Sequence, residues 1–232
     1  MQPSVSIIIP AWNEAFKISE TLRSLHDLRD KEGIQKWNEF IVVDDGSEDH
    51  TYEMATPWAD QIIKNPRNLG KGASLEAGWK RAKNDIVVFL DADLGGTAFL
   101  TYKLVEPILN GNKDMVIARF PKAQKKGGFG LVKKLAVQGI YMLCGYETTA
   151  PLSGQRALRK QLLQSVPSLS DGFGIEVGLT IDAVNKGFKI CEVDVPYQHR
   201  ETGRDWAGFT HRGKQFVSVS KTLYHKWRDP VC

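Results

Sequence analysis

The chain has 232 residues, 42% hydrophobic and 25% charged, with a formal net charge of +4. That length carries one large core or two small ones. The mild positive balance suits an anionic substrate and does not point to nucleic acid. Cys144, Cys191 and Cys232 form neither a zinc pattern nor a disulfide framework, so a reducing, cytoplasmic setting is expected. No apolar run approaches the roughly 20 residues of a membrane span, and residues 1–4 lead directly into a strand-like run, so no signal peptide is expected.

Val5-Ser6-Ile7-Ile8-Ile9 reads as a first strand, stopped by Pro10. Ala11-Trp12-Asn13-Glu14 follows, with Asn13 as the expected N-cap of a helix carrying Ile18, Leu22 and Leu25 at helical spacing. Phe40-Ile41-Val42-Val43 is a second strand ending in Asp44-Asp45-Gly46-Ser47. Ser47 or Asp49 is placed to cap a helix from Thr51. Ile62-Ile63 forms a short third strand, and Gly70-Lys71-Gly72 opens a helix through Leu75 and Trp79.

Ile86-Val87-Val88-Phe89-Leu90 is a fourth strand, followed by Asp91-Ala92-Asp93. Side chains two apart in extended chain point the same way. The two carboxylates can therefore converge on a hard cation, Mg²⁺ or Mn²⁺; the alternative is an Asp-rich turn. Alternating strands and helices predict an α/β domain with a mainly parallel sheet, whose ligands bind beyond the carboxyl ends of the strands. Three polar segments fall at such ends: 11–14, 44–47 and 91–93. The loop Asn68-Leu69-Gly70-Lys71-Gly72 adds glycines that admit a ligand and a helix N-terminus that attracts anions. It lacks Walker A spacing, and a solvated lysine is the plain alternative for Lys71.

Further along, Leu100, Leu104 and Ile108 suggest a helix, residues 114–119 a strand, and residues 131–143 another helix. The basic, glycine-rich stretch 122–130 reads as a solvated loop, with a lid or an acceptor-phosphate contact as the functional alternative. Glu176 opens a helix, where a carboxylate has a simple electrostatic reason to sit. A late alternating strand, 190–197, leads to His199 among Arg200, Arg204, His211 and Arg212; arginine forks suit diphosphates. In the tail 213–227, Phe216, Val217, Val219, Leu223 and Trp227 share one side of an amphipathic helix expected to pack on the domain. Peripheral contact with a membrane surface is the lesser alternative.

Pro10-Ala11-Trp12-Asn13-Glu14, Asp44-Asp45-Gly46-Ser47, Asn68-Leu69-Gly70-Lys71-Gly72 and Asp91-Ala92-Asp93 resemble, in order and spacing, the motifs of GT-A fold glycosyltransferases. The nearest likeness is to inverting family 2, in its dolichyl-phosphate-sugar-synthase-like branch. The resemblance implies a Rossmann-like, mainly parallel sheet flanked by helices in a single GT-A domain over 1–205. Its nucleotide-sugar half covers about 1–120 and its acceptor half about 121–205, with a C-terminal helix in 206–232.

It implies a UDP- or GDP-hexose donor whose base and ribose meet Pro10, Ala11, Asn13, Glu14, Asp44 and Asp45. Asp91, Ala92 and Asp93 would face the diphosphate and its Mg²⁺ or Mn²⁺, with Asp93 the stronger metal and catalytic candidate and His199 a third ligand. Lys71, Arg200 and Arg204 would stabilise charge on the leaving diphosphate. Gln155, in Leu152-Ser153-Gly154-Gln155, matches the segment that approaches the donor sugar. Phe173-Gly174-Ile175-Glu176 looks like the acceptor-side motif of glucosyl-phosphoglycerate-synthase-like relatives, making Glu176 an acceptor ligand or general base. Those relatives include retaining enzymes, so stereochemistry stays open.

Two departures matter. Gly95 stands where relatives often carry a polar residue that assists the metal, and no Gln-x-x-Arg-Trp motif is present, which excludes a processive polymer synthase. A small or lipid-linked acceptor is expected. The competing classes are a nucleotidyltransferase, disfavoured by Pro10–Glu14 where a basic glycine-rich loop belongs, and a non-catalytic nucleotide-sugar-binding module.

Overall fold

A computed structural model describes residues 4–30, 37–120, 130–166, 169, 174–198 and 206–229; for 37, 38 and 206–212 only the backbone is described. Seven strands form one sheet: β1 (Val5–Ala11), β2 (Trp37–Asp44), β3 (Gln61–Lys64), β4 (Ile86–Phe89), β5 (Met115–Arg119), β6 (Arg156–Arg159) and β7 (Ile190–Asp194). Their order is β3-β2-β1-β4-β6-β5-β7. β6 runs antiparallel to both β4 and β5, and the other pairings are parallel. The helices are α1 (Ile18–Arg29), α2 (Thr51–Ala55), α3 (Lys71–Arg81), α4 (Tyr102–Leu109), α5 (Leu131–Cys144), α6 (Lys160–Ser165), α7 (Ile175–Asn185) and α8 (Trp206–Arg228), with a 3₁₀ segment at Gly95–Thr101.

The unbroken apolar runs of β1, β2 and β4 are explained by burial on both faces. Ile7, Ile9, Phe40, Val42, Ile86 and Val88 enter one core layer, beneath α1 and α4. Ile8, Ile41, Val43, Val87 and Phe89 enter the other, with Leu75 of α3, Leu162 of α6 and Leu179 of α7. A third cluster joins α5, α7 and α8 through Ala136, Ile140, Val177, Ile181 and Val219. Strand order reverses between β1 and β4, which makes their carboxyl ends the switch-point crevice where such sheets bind ligands.

Some local expectations change: Pro10 does not stop β1, which pairs through Pro10 with Val43 and ends at Ala11. Asn13 does not cap α1: it adopts a left-handed φ of 56°, its amide donates to Ser47 Oγ at 3.0 Å, and its Oδ1 accepts the Glu48 amide at 2.9 Å. Ser47 is thereby occupied, and Asp49 Oδ1 receives the Thr51 amide at the start of α2. Strand β6 falls within the segment that the resemblance marks only as approaching the donor sugar, with no strand expected there.

On α8, only part of the expected apolar side is packed. Val219 and Thr222 are buried, whereas Phe216, Val217, Tyr224 and Trp227 are exposed. Lys226 is instead drawn in, 2.6 Å from Asp182 of α7. Among the described residues, no helix is long and apolar enough to cross a membrane.

Candidate active site

The three expected strand ends meet. Ala11 at the end of β1 is level with Asp44 at the end of β2, and Asp45 N donates to Ala11 O at 2.8 Å. On the other side of β1, the Leu90 amide donates to Ile8 O at 3.1 Å, which places Asp91 just beyond the sheet.

Asp44 and Asp45 have distinct jobs. Asp45 accepts from Asn65 Nδ2 (2.7 Å) and from the backbone amides of Leu69 (3.0 Å) and Gly70 (2.8 Å), so its carboxylate folds the loop that leads to Lys71. Asp44 Oδ1 accepts the Ser47 amide at 3.0 Å, while its Oδ2 is buried with no hydrogen-bond partner among the described residues. Gly46 turns between them at φ +71°, and a Cβ there would come within 2.4 Å of the Arg67 backbone, so the turn and the 65–68 loop touch main chain to main chain. An open cavity of about 650 Å³ lies here, lined by Trp12, Gly46, Ser47, Lys64, Arg67 and Asn68 among others. Pro10 is half-buried and Ala11 buried beside it. Glu14 contributes main chain at this end: its amide donates to Thr51 Oγ1 at 2.8 Å and its carbonyl accepts the Ile18 amide at 3.0 Å.

Asp91 is held from two sides. Lys71 Nζ lies 2.7 Å from Oδ1, and Gln155 Nε2 donates to Oδ2. Lys71 also approaches Glu176 Oε1 at 3.7 Å, so one ammonium stands between the acidic pair and the first turn of α7. Burial pulls the Lys71 pKa down, but the Asp91 and Glu176 charges and the Asp91 hydrogen bond outweigh it and raise it well above the ordinary lysine value. Gly154 makes room for this: a Cβ at 154 would sit 2.4 Å from Lys71 Nζ and 3.3 Å from Glu176 Oε1. Glu176 itself is only 8% exposed.

Ala92 is buried and its carbonyl accepts Thr21 Oγ1 at 2.7 Å, which anchors the turn between the two aspartates to α1. Asp93 is half-buried. Among the described residues no group of three His, Cys, Asp or Glu side chains is placed to hold a metal. His199, Arg200 and Arg204, expected as a third ligand and two diphosphate contacts, lie outside the described residues, as do 121–129 of the basic stretch. The site also contains Arg156, which its residue type does not single out; it is buried and its Nε donates to Ser153 O at 2.8 Å. Its signal in the sequence is its position directly after the candidate Gln155.

A mixed α/β sheet with Asp91, Lys71 and Gln155 in contact beyond its switch point, and an open cavity beyond the ends of β2 and β3, has the architecture in which sheets of this kind bind ligands. The chain belongs to glycosyl transferase family 2, whose model matches residues 6–173. Among its relatives is the dolichol-phosphate mannosyltransferase of Pyrococcus furiosus, 28% identical over 98% of this chain and 65% of that protein. An uncharacterised protein of Methanocaldococcus jannaschii is 31% identical over 95% of this chain and 89% of its own length. The glucosyl-3-phosphoglycerate synthase of Mycobacterium tuberculosis, solved with Mn²⁺, UDP and phosphoglyceric acid, superposes with a TM-score of 0.78 at 27% identity, covering 97% of this chain and 78% of that one. The chain thus spans just under two thirds of the Pyrococcus enzyme's length.

Proposed function

We propose that this protein transfers a hexose from a UDP- or GDP-sugar to a hydroxyl or phosphate acceptor, one residue at a time, with Mg²⁺ or Mn²⁺. The observation that carries this reading is the Lys71–Asp91–Gln155 contact set at the switch point, beside the cavity walled by Trp12 and the Asp44-Asp45-Gly46-Ser47 turn. The buried Asp44 Oδ2 suits an N–H of the base, and the exposed Trp12 ring suits its face.

The donor set fits a hard cation. Asp91 and Asp93 are oxygen ligands, and His199 is the proposed third, which favours Mn²⁺. Bound there, the cation would neutralise the departing nucleoside diphosphate. Lys71 would add charge to the same group, with Arg200 and Arg204 in the same role. Gln155 orients Asp91 and faces the sugar, and Glu176 receives the acceptor hydroxyl, as ligand or as base. The relatives support a small anionic acceptor, since the mycobacterial structure is named with phosphoglyceric acid.

A lipid-linked acceptor is a second reading, favoured by α8. Phe216, Val217, Tyr224 and Trp227 face solvent, with Lys214, Lys221 and Arg228 exposed on the same helix. That combination suits an anionic bilayer surface.

Thermal-shift measurements with UDP, GDP and their sugars, with and without Mn²⁺, test the donor. Stabilisation by one nucleotide that depends on Mn²⁺ is expected, and no shift with any of them overturns the reading. Sedimentation with anionic vesicles separates the acceptors: recovery entirely in the supernatant removes the lipid alternative.

A further inference from the structure

Arg156 is 1% exposed and is the largest of the fully buried side chains among the described residues. Its backbone is fixed in the middle of the sheet, opposite Phe89 of β4 and Ile117 of β5. Its guanidinium reaches two ways. Nε donates to Ser153 O at 2.8 Å, within the turn that carries Gly154 and Gln155. Nη1 donates to Thr180 Oγ1 at 2.8 Å, and Thr180 in turn donates to Glu176 O at 2.7 Å.

We propose that Arg156 is a positioning residue for glycosyl transfer, locking the sugar-facing turn 153–155 to the first turns of α7 so that Gln155 meets Asp91 and Glu176 meets Lys71. The kinetic part of this inference rests on the glycosyltransferase reading; the locking does not.

The alternative is that Arg156 merely fills the core. Its own energetics argue against that. Burying a guanidinium carries a desolvation cost that its pairing must offset, and an apolar side chain of similar volume avoids that cost. Arg156 Nη2 remains buried without a hydrogen-bond partner among the described residues, which adds to the cost. Desolvation pulls the Arg156 pKa down to about 10, against the opposing pull of Glu176, Glu192 and Tyr146.

What the guanidinium provides in return is a rigid planar fork. Two of its N–H groups leave at a fixed angle and join two segments far apart in sequence. One segment holds Gln155, which donates to Asp91; the other holds Glu176, 3.7 Å from Lys71. Both contacts converge on the Lys71–Asp91 pair. An apolar residue cannot set that relationship, and a lysine offers one point charge without the fork.

The test compares Arg156→Gln, Arg156→Lys and Thr180→Val, the last being nearly isosteric and removing both Thr180 hydrogen bonds. UDP affinity is measured by calorimetry with Mn²⁺, because the cavity at Trp12 is built from other elements. We expect UDP affinity and donor KM to stay within about threefold while kcat falls at least about tenfold in Arg156→Gln and Thr180→Val, with Arg156→Lys intermediate. Amide hydrogen exchange is read in parallel. It should rise in 150–156 and 174–180 and stay unchanged in the 65–70 loop held by Asp45.

A folded Arg156→Gln or Thr180→Val protein with wild-type kcat and wild-type exchange overturns the proposal. So does a uniform rise in exchange together with loss of UDP binding, the signature of a core residue only. If Arg156→Gln does not fold, Thr180→Val decides. A wild-type protein that turns over no nucleotide sugar counts against the glycosyltransferase reading, and the exchange comparison then decides the locking by itself.

Discussion

Lys71 Nζ sits 2.7 Å from Asp91 Oδ1 and 3.7 Å from Glu176 Oε1, so a single ammonium bridges the loop after β4 and the first turn of α7. Lys71→Met should lower kcat about 100-fold with a smaller change in UDP affinity. The raised Lys71 pKa fixes the sign of any pH effect. Stability from the pair is fully present below the unfolded lysine value of about 10.4 and is lost only as pH rises through the higher folded value. Wild-type activity should therefore show no lysine titration between about pH 7 and 9; a limb in that range that disappears in Lys71→Met would contradict the pairing.

Asp93→Asn should reduce transfer at least about 100-fold, and EDTA should do the same to the wild type, reversibly on adding Mn²⁺. Turnover that is unchanged in both experiments removes the metal assignment.

Gly154→Ala is a steric probe of the bridge. The added Cβ would lie 2.4 Å from Lys71 Nζ, the far end of a flexible side chain, so the lysine moves and the fold stays. The melting temperature should drop by less than about 4 °C, while kcat falls about tenfold. Wild-type kcat in a well-folded Gly154→Ala protein would show that the position of Lys71 is immaterial.

Tyrosine titration reports the core. Burial, with Glu192 and Cys191 nearby, pushes Tyr146 up to about 12; burial raises Tyr197 beyond the usual tyrosine range despite its hydrogen bond with Thr101. Raised values mean that the neutral phenols are favoured by folding. Their contribution is present below the unfolded value of about 10 and lost as pH rises through the folded values. An ultraviolet titration of the six tyrosines should therefore show late-titrating groups that become normal on unfolding. Tyr146→Phe should remove the step near pH 12, and a single transition at about pH 10 for all tyrosines would refute the burial.

The parallel half of this fold was readable because β1, β2 and β4 are buried on both faces and therefore carry continuous apolar runs. Strand β6 was not, since Arg156-Ala157-Leu158-Arg159 begins and ends on arginine. It is a strand because β4 and β5 both offer it hydrogen-bonding edges, a tertiary cause with no local pattern. Asn13 reads as a cap by residue type, but the 47–48 turn competes for the same groups across more than thirty residues of chain. Asp45 shows the same limit: an aspartate after a strand looks available to a ligand until the folded loop brings it three donors. For Lys71, residue type left a solvated surface lysine as the plain alternative, and the folded contacts with Asp91 and Glu176 remove that alternative.

A Cβ on Gly174, which precedes α7, would come 1.9 Å from Thr222 Oγ1 of α8. The C-terminal helix therefore rests on the backbone just two residues before Glu176. Anything that pries α8 loose, whether a cut before residue 206 or a binding partner drawn to its outward aromatic strip, would register at Glu176, the proposed acceptor group, without touching the Lys71–Asp91–Gln155 contacts.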